Sequence, residues 1–402
     1  MGGLRILGGL GLVLALAACA GTPSASPAQP STAGRTATSL PSAPTAPPVS
    51  TPSPPSTPST GAPVQAAAPA AGAPPGTITL AFGGDVNFDG PLAALVERPD
   101  GLADLRQVLG GADLAIVNLE TAITDRGSPE AKIYHFRTTP QALVTVQRAG
   151  VDAVSMANNH AVDYGPDGLT DTLAAKASSP IPVMGIGRTA DEAFTPAVFP
   201  VRGVDVALLA STQVNDLTVN KYPATASRPG VAGNLDNTRL LAAVRAAAAT
   251  HDVVVVYLHW GTDYTSCPDS AQTSTAAALE KAGADVIVGG HAHRVQGAGW
   301  LGRSYVAYGL GNFVWHNTRG DLDARSGVLT VAVDIARAQK AAGAGAAARP
   351  TAPSVVTATT WTPLVISDDG VPRTPAPPVA ATLHDAWDQA RTCARLAASP
   401  AG

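Results

Sequence analysis

The sequence is poor in charged residues, aromatic residues, cysteine and histidine. Charged residues make up 14% of its 402 residues and aromatic residues 4%, and it contains three cysteines and eight histidines. A formal net charge of −4 lacks the excess of basic residues that a nucleic-acid-binding surface needs, so we expect no nucleic-acid partner. The length and a hydrophobic content of 45% still allow a large core in one or two domains.

Residues 1–19 predict a lipoprotein signal peptide. Arg5 supplies the positive charge and residues 6–18 the apolar core, which is the pattern of a secretory signal. The apolar run is shorter than the ~20 residues that span a bilayer. Leu16-Ala17-Ala18-Cys19 resembles the bacterial lipobox, so we expect lipidated Cys19 to anchor the chain on the outer face of the cell membrane. A plain signal peptide with an incidental cysteine is the alternative.

The next segment, residues 20–76, predicts a disordered tether. It contains no acidic and no aromatic residue and consists almost entirely of Ser, Thr, Pro, Ala and Gly. Such a composition cannot bury enough apolar surface to offset the entropy lost on ordering, and proline keeps the chain extended.

Cys267 and Cys393, the two cysteines beyond the lipobox, can form one disulfide in an oxidising compartment. The sequence does not show whether they lie close together.

From residue 77 onward, apolar and amphipathic runs alternate, which predicts an α/β fold with a largely parallel sheet covered by helices. The predicted strands are residues 77–82, 114–119, 153–156, 182–186, 204–209, 253–258, 285–288 and 305–308. The predicted helices are residues 102–109, 140–149, 166–177, 235–249 and 270–282. We expect residues 77–335 to form the main domain. Residues 336–402 should pack on it as an Ala/Gly-rich surface loop (336–353), a late strand (355–365) and a C-terminal helix (380–398).

Two histidines follow the strand predicted at residues 285–288. The sequence there is Gly289-Gly290-His291-Ala292-His293, and side chains two residues apart on an extended backbone point the same way. Both imidazoles can therefore face one point beyond the carboxyl end of the strand, where open α/β sheets place their sites. A metal site is one interpretation, and a turn with two solvated histidines is the other.

Polar residues with metal-binding side chains recur where other predicted strands end. They are Asp85, Asn118, Glu120, Asn159, His160 and His259, in addition to His291 and His293. Their chemistry suits a divalent ion of the Mn, Fe or Zn type, and their number allows one or two such ions. Five of them have an ordinary alternative: a helix cap for Asp85, turn residues for Asn118 and Asn159, a solvated loop carboxylate for Glu120, and a core histidine for His259.

The order and spacing of several motifs resemble the CapA family, which is named for poly-γ-glutamate capsule synthesis and is similar to the calcineurin-like metallophosphoesterases. The motifs are Gly84-Asp85-Val86-Asn87, Asn118-Leu119-Glu120-Thr121, Ala157-Asn158-Asn159-His160-Ala161-Val162-Asp163-Tyr164-Gly165, His259-Trp260-Gly261 and Gly289-Gly290-His291-Ala292-His293. Weaker matches are Phe136-Arg137-Thr138-Thr139-Pro140, Gly185-Ile186-Gly187 and Tyr308-Gly309-Leu310-Gly311-Asn312-Phe313. The resemblance covers roughly residues 77–315.

This resemblance implies a four-layer α/β sandwich of the metallophosphoesterase type, with a metal site at the carboxyl ends of the central strands. It implies six metal ligands, namely Asp85, Glu120, Asn159, His259, His291 and His293, and assigns the catalytic role to His160. Two residues depart from the phosphoesterase pattern: Asn87 stands where a histidine is expected, and Glu120 where a bridging aspartate is expected. Secondary candidates for the site are Asn87, Asn118, Asn158, Arg137 and His135.

Together these features predict a cell-surface lipoprotein that is a metal-dependent hydrolase or transferase in the biosynthesis of a capsule, poly-γ-glutamate or a related envelope polymer. Its expected partners are an anionic envelope polymer or its precursor and other polymer-synthesis proteins at the membrane. A non-catalytic accessory protein that binds an anionic envelope polymer during assembly or export is the alternative. A tethered solute-binding protein is a third reading, but it would not need the histidines.

Overall fold

The structure is a computed structural model that describes residues 75–316, 318–343 and 349–401. The predicted signal peptide, Cys19 and the predicted tether up to residue 74 lie outside the described residues. Of the helices within them, none combines the length and the apolar composition that crossing a membrane requires.

Most of the described β-strands belong to two large sheets. In chain order the strands are β1 (Thr77–Val86), β2 (Leu114–Leu119), β3 (Ala122–Ile123), β4 (Arg137–Thr138), β5 (Ala153–Ser155), β6 (Val183–Met184), β7 (Ile186–Gly187), β8 (Ala197–Val201), β9 (Val204–Thr212), β10 (Gly230–Val231), β11 (Val253–Trp260), β12 (Val286–His291), β13 (Ala298–Leu301), β14 (Ser304–Ala307), β15 (Asn312–Val314), β16 (Arg325–Asp334), β17 (Val356–Ile366) and β18 (Pro372–Arg373).

Each large sheet has a parallel centre and antiparallel strands at one or both edges. The first has the order β18–β17–β16–β1–β2–β5–β6, with β15 also paired to β1. Its strands β1, β2, β5, β6 and β15 are parallel, whereas β16, β17 and β18 are antiparallel. The second has the order β13–β14–β12–β11–β9–β8, and only its edge strands β13 and β8 are antiparallel.

Helices connect the strands and cover the outer faces of both sheets. In chain order the described α-helices are α1 (Ala93–Glu97), α2 (Arg106–Leu109), α3 (Gln141–Arg148), α4 (Gly165–Ala177), α5 (Ala190–Phe194), α6 (Leu217–Lys221), α7 (Thr238–Thr250), α8 (Ser270–Ala282), α9 (Asp321–Ala324), α10 (Ile335–Gly343) and α11 (Pro377–Ala394). Short 3-10 helices lie at Gly90–Leu92, Ala103–Leu105 and Arg349–Thr351.

The hydrophobic core is divided into three clusters, which confirms the predicted four-layer arrangement. One cluster lies between the two sheets, one between the first sheet and its helices, and one between the second sheet and its helices. The two faces of strand β11 belong to two different clusters. Val253, Val255 and Tyr257 belong to the central cluster, whereas the residues between them belong to the outer one. An apolar residue at every position is what burial on both faces of a strand requires.

The expected parallel order is correct at the centre of the sheets and incomplete at the edges. Strand β16 was not predicted from the sequence, although six of its ten residues pair with β1, from Thr77 to Phe82. The stretch predicted as one strand at residues 182–186 is divided into β6 and β7, which belong to different sheets. Gly185 separates them in a left-handed conformation, with φ of 79°.

The prediction of a surface loop over residues 336–353 is wrong for its first part, which belongs to helix α10. Ala338 and Ala341 are buried in the cluster between the sheets. Alanine has the highest helix propensity, and a spacing of three residues places both methyl groups on one face. After the gap at residues 344–348, Arg349 is buried and its guanidinium hydrogen-bonds to the carbonyl oxygens of Ala248 and His251.

The C-terminal helix α11 ends at Ala394, four residues earlier than predicted, because Arg395 adopts a left-handed conformation with φ of 55°. Trp387 of this helix stacks on Trp361 of β17, with ring centroids 4.1 Å apart. Near the end of α11, Cys393 forms a disulfide with Cys267 in the loop between β11 and α8. The disulfide therefore ties the C-terminal helix to a loop that begins at the carboxyl end of a central strand.

We expect reduction of this disulfide to lower the free energy of unfolding by about 4 kcal/mol, because closing a loop of roughly a hundred residues restricts the unfolded chain by that order. Urea unfolding with and without a thiol-free reductant measures the change. The double variant Cys267→Ser/Cys393→Ser should match the reduced protein and be insensitive to the reductant. Equal urea midpoints for oxidised and reduced wild-type protein would contradict this role.

Candidate metal centre

The two large sheets meet at Asp85, at the carboxyl end of β1. Its Oδ1 accepts a hydrogen bond of 2.8 Å from Asn118 Nδ2 at the end of β2, in the same sheet. Its Oδ2 accepts one of 2.8 Å from the backbone N–H of His291 at the end of β12, in the other sheet. One buried carboxylate thus fixes the relative position of the polar strand ends.

Glycines allow the close packing of the backbone around Asp85. A Cβ atom on Gly290 would lie 2.3 Å from Asp85 Oδ1, and one on Gly84 would lie 1.9 Å from the carbonyl oxygen of Gly311. Neither distance is compatible with a side chain. Glycine at positions 84 and 290 is therefore required by close packing at the site.

Both histidines of the segment that ends β12 have a left-handed backbone. The φ angle is 86° at His291 and 53° at His293, values that are uncommon for residues other than glycine. Such conformations cost energy and concentrate at functional sites. Their rings lie 6.1 Å apart between centroids, so the strained turn directs both imidazoles into one region.

Among the described residues, Glu120, His259 and His291 form a group of ligand-type side chains that could hold a metal ion. Each offers one nitrogen or oxygen atom, and these three atoms lie within 4.8 Å of one another. All three side chains are buried. Both carboxylate oxygens of Glu120, and Nδ1 of His291, are buried without a hydrogen-bond partner in the structure. The structure thus brings three of the six predicted ligands together directly.

The other predicted residues of the strand ends surround this group. Asn159 Oδ1 accepts a hydrogen bond of 2.8 Å from His259 Nε2. On the other side of that ring, Asn118 Nδ2 lies 3.1 Å from Nδ1. Asn158 in turn donates to Asn118 Oδ1 at 3.1 Å. Asn118 and Asn158 therefore orient Asp85 and His259, which is a positioning role.

Burial raises the pKa of both carboxyl groups at the site. It is the main cause of a pKa of about 8 for Glu120 and, together with the nearby charge of Glu120, of about 6 for Asp85. The charges of neighbouring histidines oppose these shifts. A carboxylate without hydrogen bonds is costly in such surroundings unless a cation compensates it.

Burial lowers the pKa of the imidazoles for the same reason. The pKa of His259 falls to about 4, opposed by the charge of Asp85, and that of His291 lies well below its usual value. Both rings are therefore neutral at pH 7. Neutral imidazole is the form that binds a metal ion.

His160 is held by a carboxylate on the side of its ring that faces away from Glu120. Its Nδ1 donates to Asp163 Oδ2 at 2.6 Å, while its Nε2 lies 3.8 Å from Glu120 Oε1. Burial lowers the pKa of His160 to about 4 against the effect of Asp163. Lys132 Nζ donates to Asp163 Oδ1 at 2.8 Å and lies 3.2 Å from Asp216 Oδ2. The ring is thus neutral and oriented, with Nε2 directed towards the cluster.

A cavity of about 630 Å³ opens above the cluster. The predicted residues Asn87, Asn159, His160, His291 and His293 all line it. His293 is oriented by Asn312, whose Oδ1 lies 2.8 Å from His293 Nδ1. Of the three cluster residues, His291 lines the cavity, so the cavity extends to the edge of the cluster.

Two secondary candidates, Arg137 and His135, neither line this cavity nor contact the residues of the cluster. Arg137 is exposed and its guanidinium lies over the ring of Tyr164, 4.8 Å from the centroid. His135 Nε2 lies 2.6 Å from the carbonyl oxygen of Glu130 in its own loop. Both residues lie in or beside a motif of the sequence, but the structure places neither of them at the site.

Several cavity or supporting residues were not identified from the sequence. They are Lys132, Asp163, Asp263, Tyr264, Asn312 and Arg319. Asp163 and Asn312 lie within motifs of the family resemblance, which was the available signal. The other four lie in loops of irregular structure, where no periodicity indicates the direction of a side chain.

The donor set fits a divalent metal ion. Two neutral imidazoles and a carboxylate are typical ligands of Zn, Mn or Fe. A cation between them would supply partners for the Glu120 oxygens and for His291 Nδ1, which have no hydrogen bond. Asp85 and Asn159 have oxygens beside the same group, at 3.8 Å and 2.8 Å from the ring nitrogens of His259.

Comparison with known proteins gives matches to capsule synthesis proteins. The model of the family described as "Bacterial capsule synthesis protein PGA_cap" matches residues 79–317. The PGA biosynthesis protein CapA of Bacillus subtilis is 31% identical over 219 residues, which are 53% of this chain and 57% of that protein. The capsule biosynthesis protein CapA of Bacillus anthracis is 33% identical over 46% of this chain and 45% of that protein.

A third relative, named a probable polyglutamine synthesis accessory protein of Mycobacterium tuberculosis, is 28% identical over 50% of this chain and 55% of that protein. The chain thus spans about half the length of the curated relatives it matches. A phosphatase structure from Mycoplasma pneumoniae aligns with 72% of this chain and 94% of its own, at 15% identity and a TM-score of 0.43. At that TM-score the likeness alone defines neither fold nor activity.

We expect Gly290→Ala to destabilise the protein by about 1–3 kcal/mol and to weaken metal binding, because the added methyl group would displace Asp85. Gly111→Ala is the matched control, since a Cβ there has no atom within 4 Å. Urea unfolding and metal titration compare the two variants. Equal effects of both substitutions would show that the approach of Gly290 to Asp85 is not a constraint.

The metal-free protein should lose stability as the pH rises from 7 to 8. The pKa of Glu120 is about 8 in the folded chain and 4.5 in a free side chain, so between these values only the folded state holds the proton. The loss is at most about 1.4 kcal/mol per pH unit, and the lowered pKa values of the histidines act below this window. Urea midpoints in chelator measure it. Glu120→Gln should remove the slope, whereas Glu97→Gln at an exposed position should retain it.

Proposed function

Because the chain belongs to the bacterial capsule synthesis protein family, we propose that it is a metal-dependent hydrolase or transferase at the cell surface. Its substrate would be a capsule or related envelope polymer, or a precursor of one, and the family resemblance makes poly-γ-glutamate the first polymer to test. The protein would work beside other synthesis proteins, held at the outer face of the membrane through lipidated Cys19.

One observation carries the catalytic part of this proposal. The carboxylate of Glu120 is fully buried, has no hydrogen-bond partner among the described residues and lies within 4.8 Å of ligand atoms of two buried histidines. A purely structural site would satisfy these atoms with donors. Their arrangement around one point, at the base of a large cavity, supports a bound cation in contact with a substrate.

In this proposal Glu120, His259 and His291 hold the metal ion, with Asp85, Asn159 and His293 as further candidates. A bound divalent ion supplies Lewis-acid chemistry and makes water a stronger nucleophile. His160 acts as the acid or base, since its neutral ring presents Nε2 towards the cluster while Asp163 fixes Nδ1. Lys132 neutralises Asp163 and so keeps the hydrogen bond to His160 in place.

A non-catalytic accessory role is the second candidate. The observation in its favour is the name of the mycobacterial relative, an accessory protein of polyglutamine synthesis. Asn87 and Glu120 replace the histidine and aspartate of the phosphoesterase pattern, which also favours binding over phosphoester hydrolysis. In this reading the same cavity would bind an anionic polymer and His160 would have no chemical role.

We expect chelation to abolish turnover of a general phosphodiester or of a γ-linked glutamate oligomer, and added Mn²⁺, Fe²⁺ or Zn²⁺ to restore it. His160→Ala should retain the metal but lower the rate by about a hundredfold or more, which is typical for loss of a general acid or base. His259→Ala should lose both the metal and the activity. Metal analysis and initial rates on the same preparations measure these effects.

The matched control is His384→Ala, because His384 is exposed on helix α11. This variant should keep both its metal and its rate. Equal rates for chelated and metal-loaded protein would contradict a metal-dependent reaction. Tight polymer binding without turnover, unchanged in His160→Ala, would favour the accessory role instead.

A further inference from the structure

A row of rings leads from the metal cluster towards the mouth of the cavity. His291 is followed by His293 at a centroid distance of 6.1 Å, and His293 by Tyr264 at 5.5 Å in a stacked arrangement. His293 also contacts Trp315, with ring centroids 4.7 Å apart. These rings form a continuous wall, so a ligand that reaches the cluster lies along aromatic faces for part of its length.

The row ends at a guanidinium group. The Arg319 side chain lies over the ring of Tyr264, with Cζ 4.5 Å from the centroid, and its Nη2 donates to the hydroxyl of Tyr134 at 2.8 Å. Tyr134, Tyr264 and Arg319 come from three different loops that meet at the rim of the cavity. The guanidinium is thus oriented by the face of the Tyr264 ring and by the hydrogen bond to Tyr134, and the Arg319 side chain remains exposed.

Among the described residues, Arg319 has no ion pair with a carboxylate, and only its backbone N–H bonds to Asp323. Two other cations near the cavity, in contrast, have ion pairs with carboxylates. Lys132 is paired with Asp163 and Asp216, and Arg294 with Asp323. Arg319 is therefore an oriented cation of the cavity rim whose charge has no counter-ion among the residues that the structure describes.

The acidic residues of the cavity do not supply that counter-ion. Asp216 lies 3.2 Å from Lys132 Nζ, and Asp263 Oδ1 lies 3.2 Å from His291 Nε2. A planar guanidinium presents parallel N–H donors that match a carboxylate or a phosphate. Since only one donor group is engaged by Tyr134, an edge of the guanidinium remains available to an anionic ligand.

We propose that Arg319, oriented by Tyr134 and Tyr264, binds an anionic group on a part of the substrate that lies away from the reacting bond. Two rings separate this subsite from His291, so it recognises a second unit of an extended ligand. The chemistry required is a carboxylate or phosphate carried on a chain that packs against aromatic faces. This inference rests on the proposed function for the identity of the cavity, but ligand binding tests it without turnover.

Equilibrium binding to the full chain tests the subsite with three oligomers of equal length: γ-linked glutamate, γ-linked glutamine and linear polyphosphate. We expect one of the two anionic oligomers to bind and the glutamine oligomer to bind at least about tenfold more weakly, because a charge-assisted bidentate contact is lost. Whichever anionic oligomer binds more tightly identifies the group as carboxylate or phosphate. Quenching of tryptophan fluorescence, for which Trp315 is well placed, measures binding.

Arg319→Met should weaken binding of the preferred anionic oligomer about tenfold and leave the glutamine oligomer unaffected. Arg319→Lys should recover only part of the loss, because an ammonium group lacks the planar fork. Tyr134→Phe, which removes only the orienting hydroxyl, should weaken binding by a smaller factor. The control Arg245→Met changes an exposed arginine on helix α7 and should bind as the wild type does.

Equal binding of charged and uncharged oligomers, or wild-type affinity in Arg319→Met, would overturn the proposal. The result is separable from the catalytic question. Binding that depends on Arg319 without metal-dependent turnover supports the subsite and contradicts the hydrolase. Metal-dependent turnover together with binding that does not depend on Arg319 supports the hydrolase and contradicts the subsite. If Arg319→Met fails to fold, Arg319→Lys and Tyr134→Phe decide the question, because both conserve most of the side-chain volume.

Discussion

The carboxylate of Asp85 is the contact on which the arrangement of the site depends. It accepts hydrogen bonds from Asn118 in its own sheet and from the backbone of His291 in the other. It is the one acceptor that links the ends of β1, β2 and β12 through these hydrogen bonds. The contact demands glycine at position 290, where a Cβ atom would lie 2.3 Å from the carboxylate. Local backbone chemistry thus determines how two layers of the fold meet.

The burial of this part of the structure also makes a second carboxylate, that of Glu120, energetically costly to ionise. Glu120 is held between two sheets without a donor to its oxygens, and its pKa rises to about 8. The charge of His293 opposes this shift without cancelling it, and burial keeps the pKa values of His259 and His291 low, so that these two rings are neutral. A divalent cation resolves both conditions at once, since it needs the neutral histidines and neutralises the carboxylate. These residues therefore fit the divalent ion that we propose for the site.

The sequence predicted what depends on periodicity and on strand ends. Apolar runs such as β11 identified the central strands, and the polar residues after them identified Asp85, Glu120 and His259, which the structure places together. The sequence did not predict β16, whose pairing with β1 is a long-range contact. It also missed Asp163 and Arg319, because their roles depend on how loops from distant parts of the chain meet. Arg137 was chosen from its motif but lies on Tyr164 outside the cavity, a direction that no sequence pattern encodes.

Metal content of the purified full chain is the most direct test of the central claim that these strand ends form a metal centre. Elemental analysis after dialysis against metal-free buffer should find one or two equivalents of Mn, Fe or Zn per chain. The same measurement on Glu120→Gln should show a clear reduction. A wild-type protein that keeps no divalent metal after incubation with these ions and dialysis, although it is folded, would contradict the account.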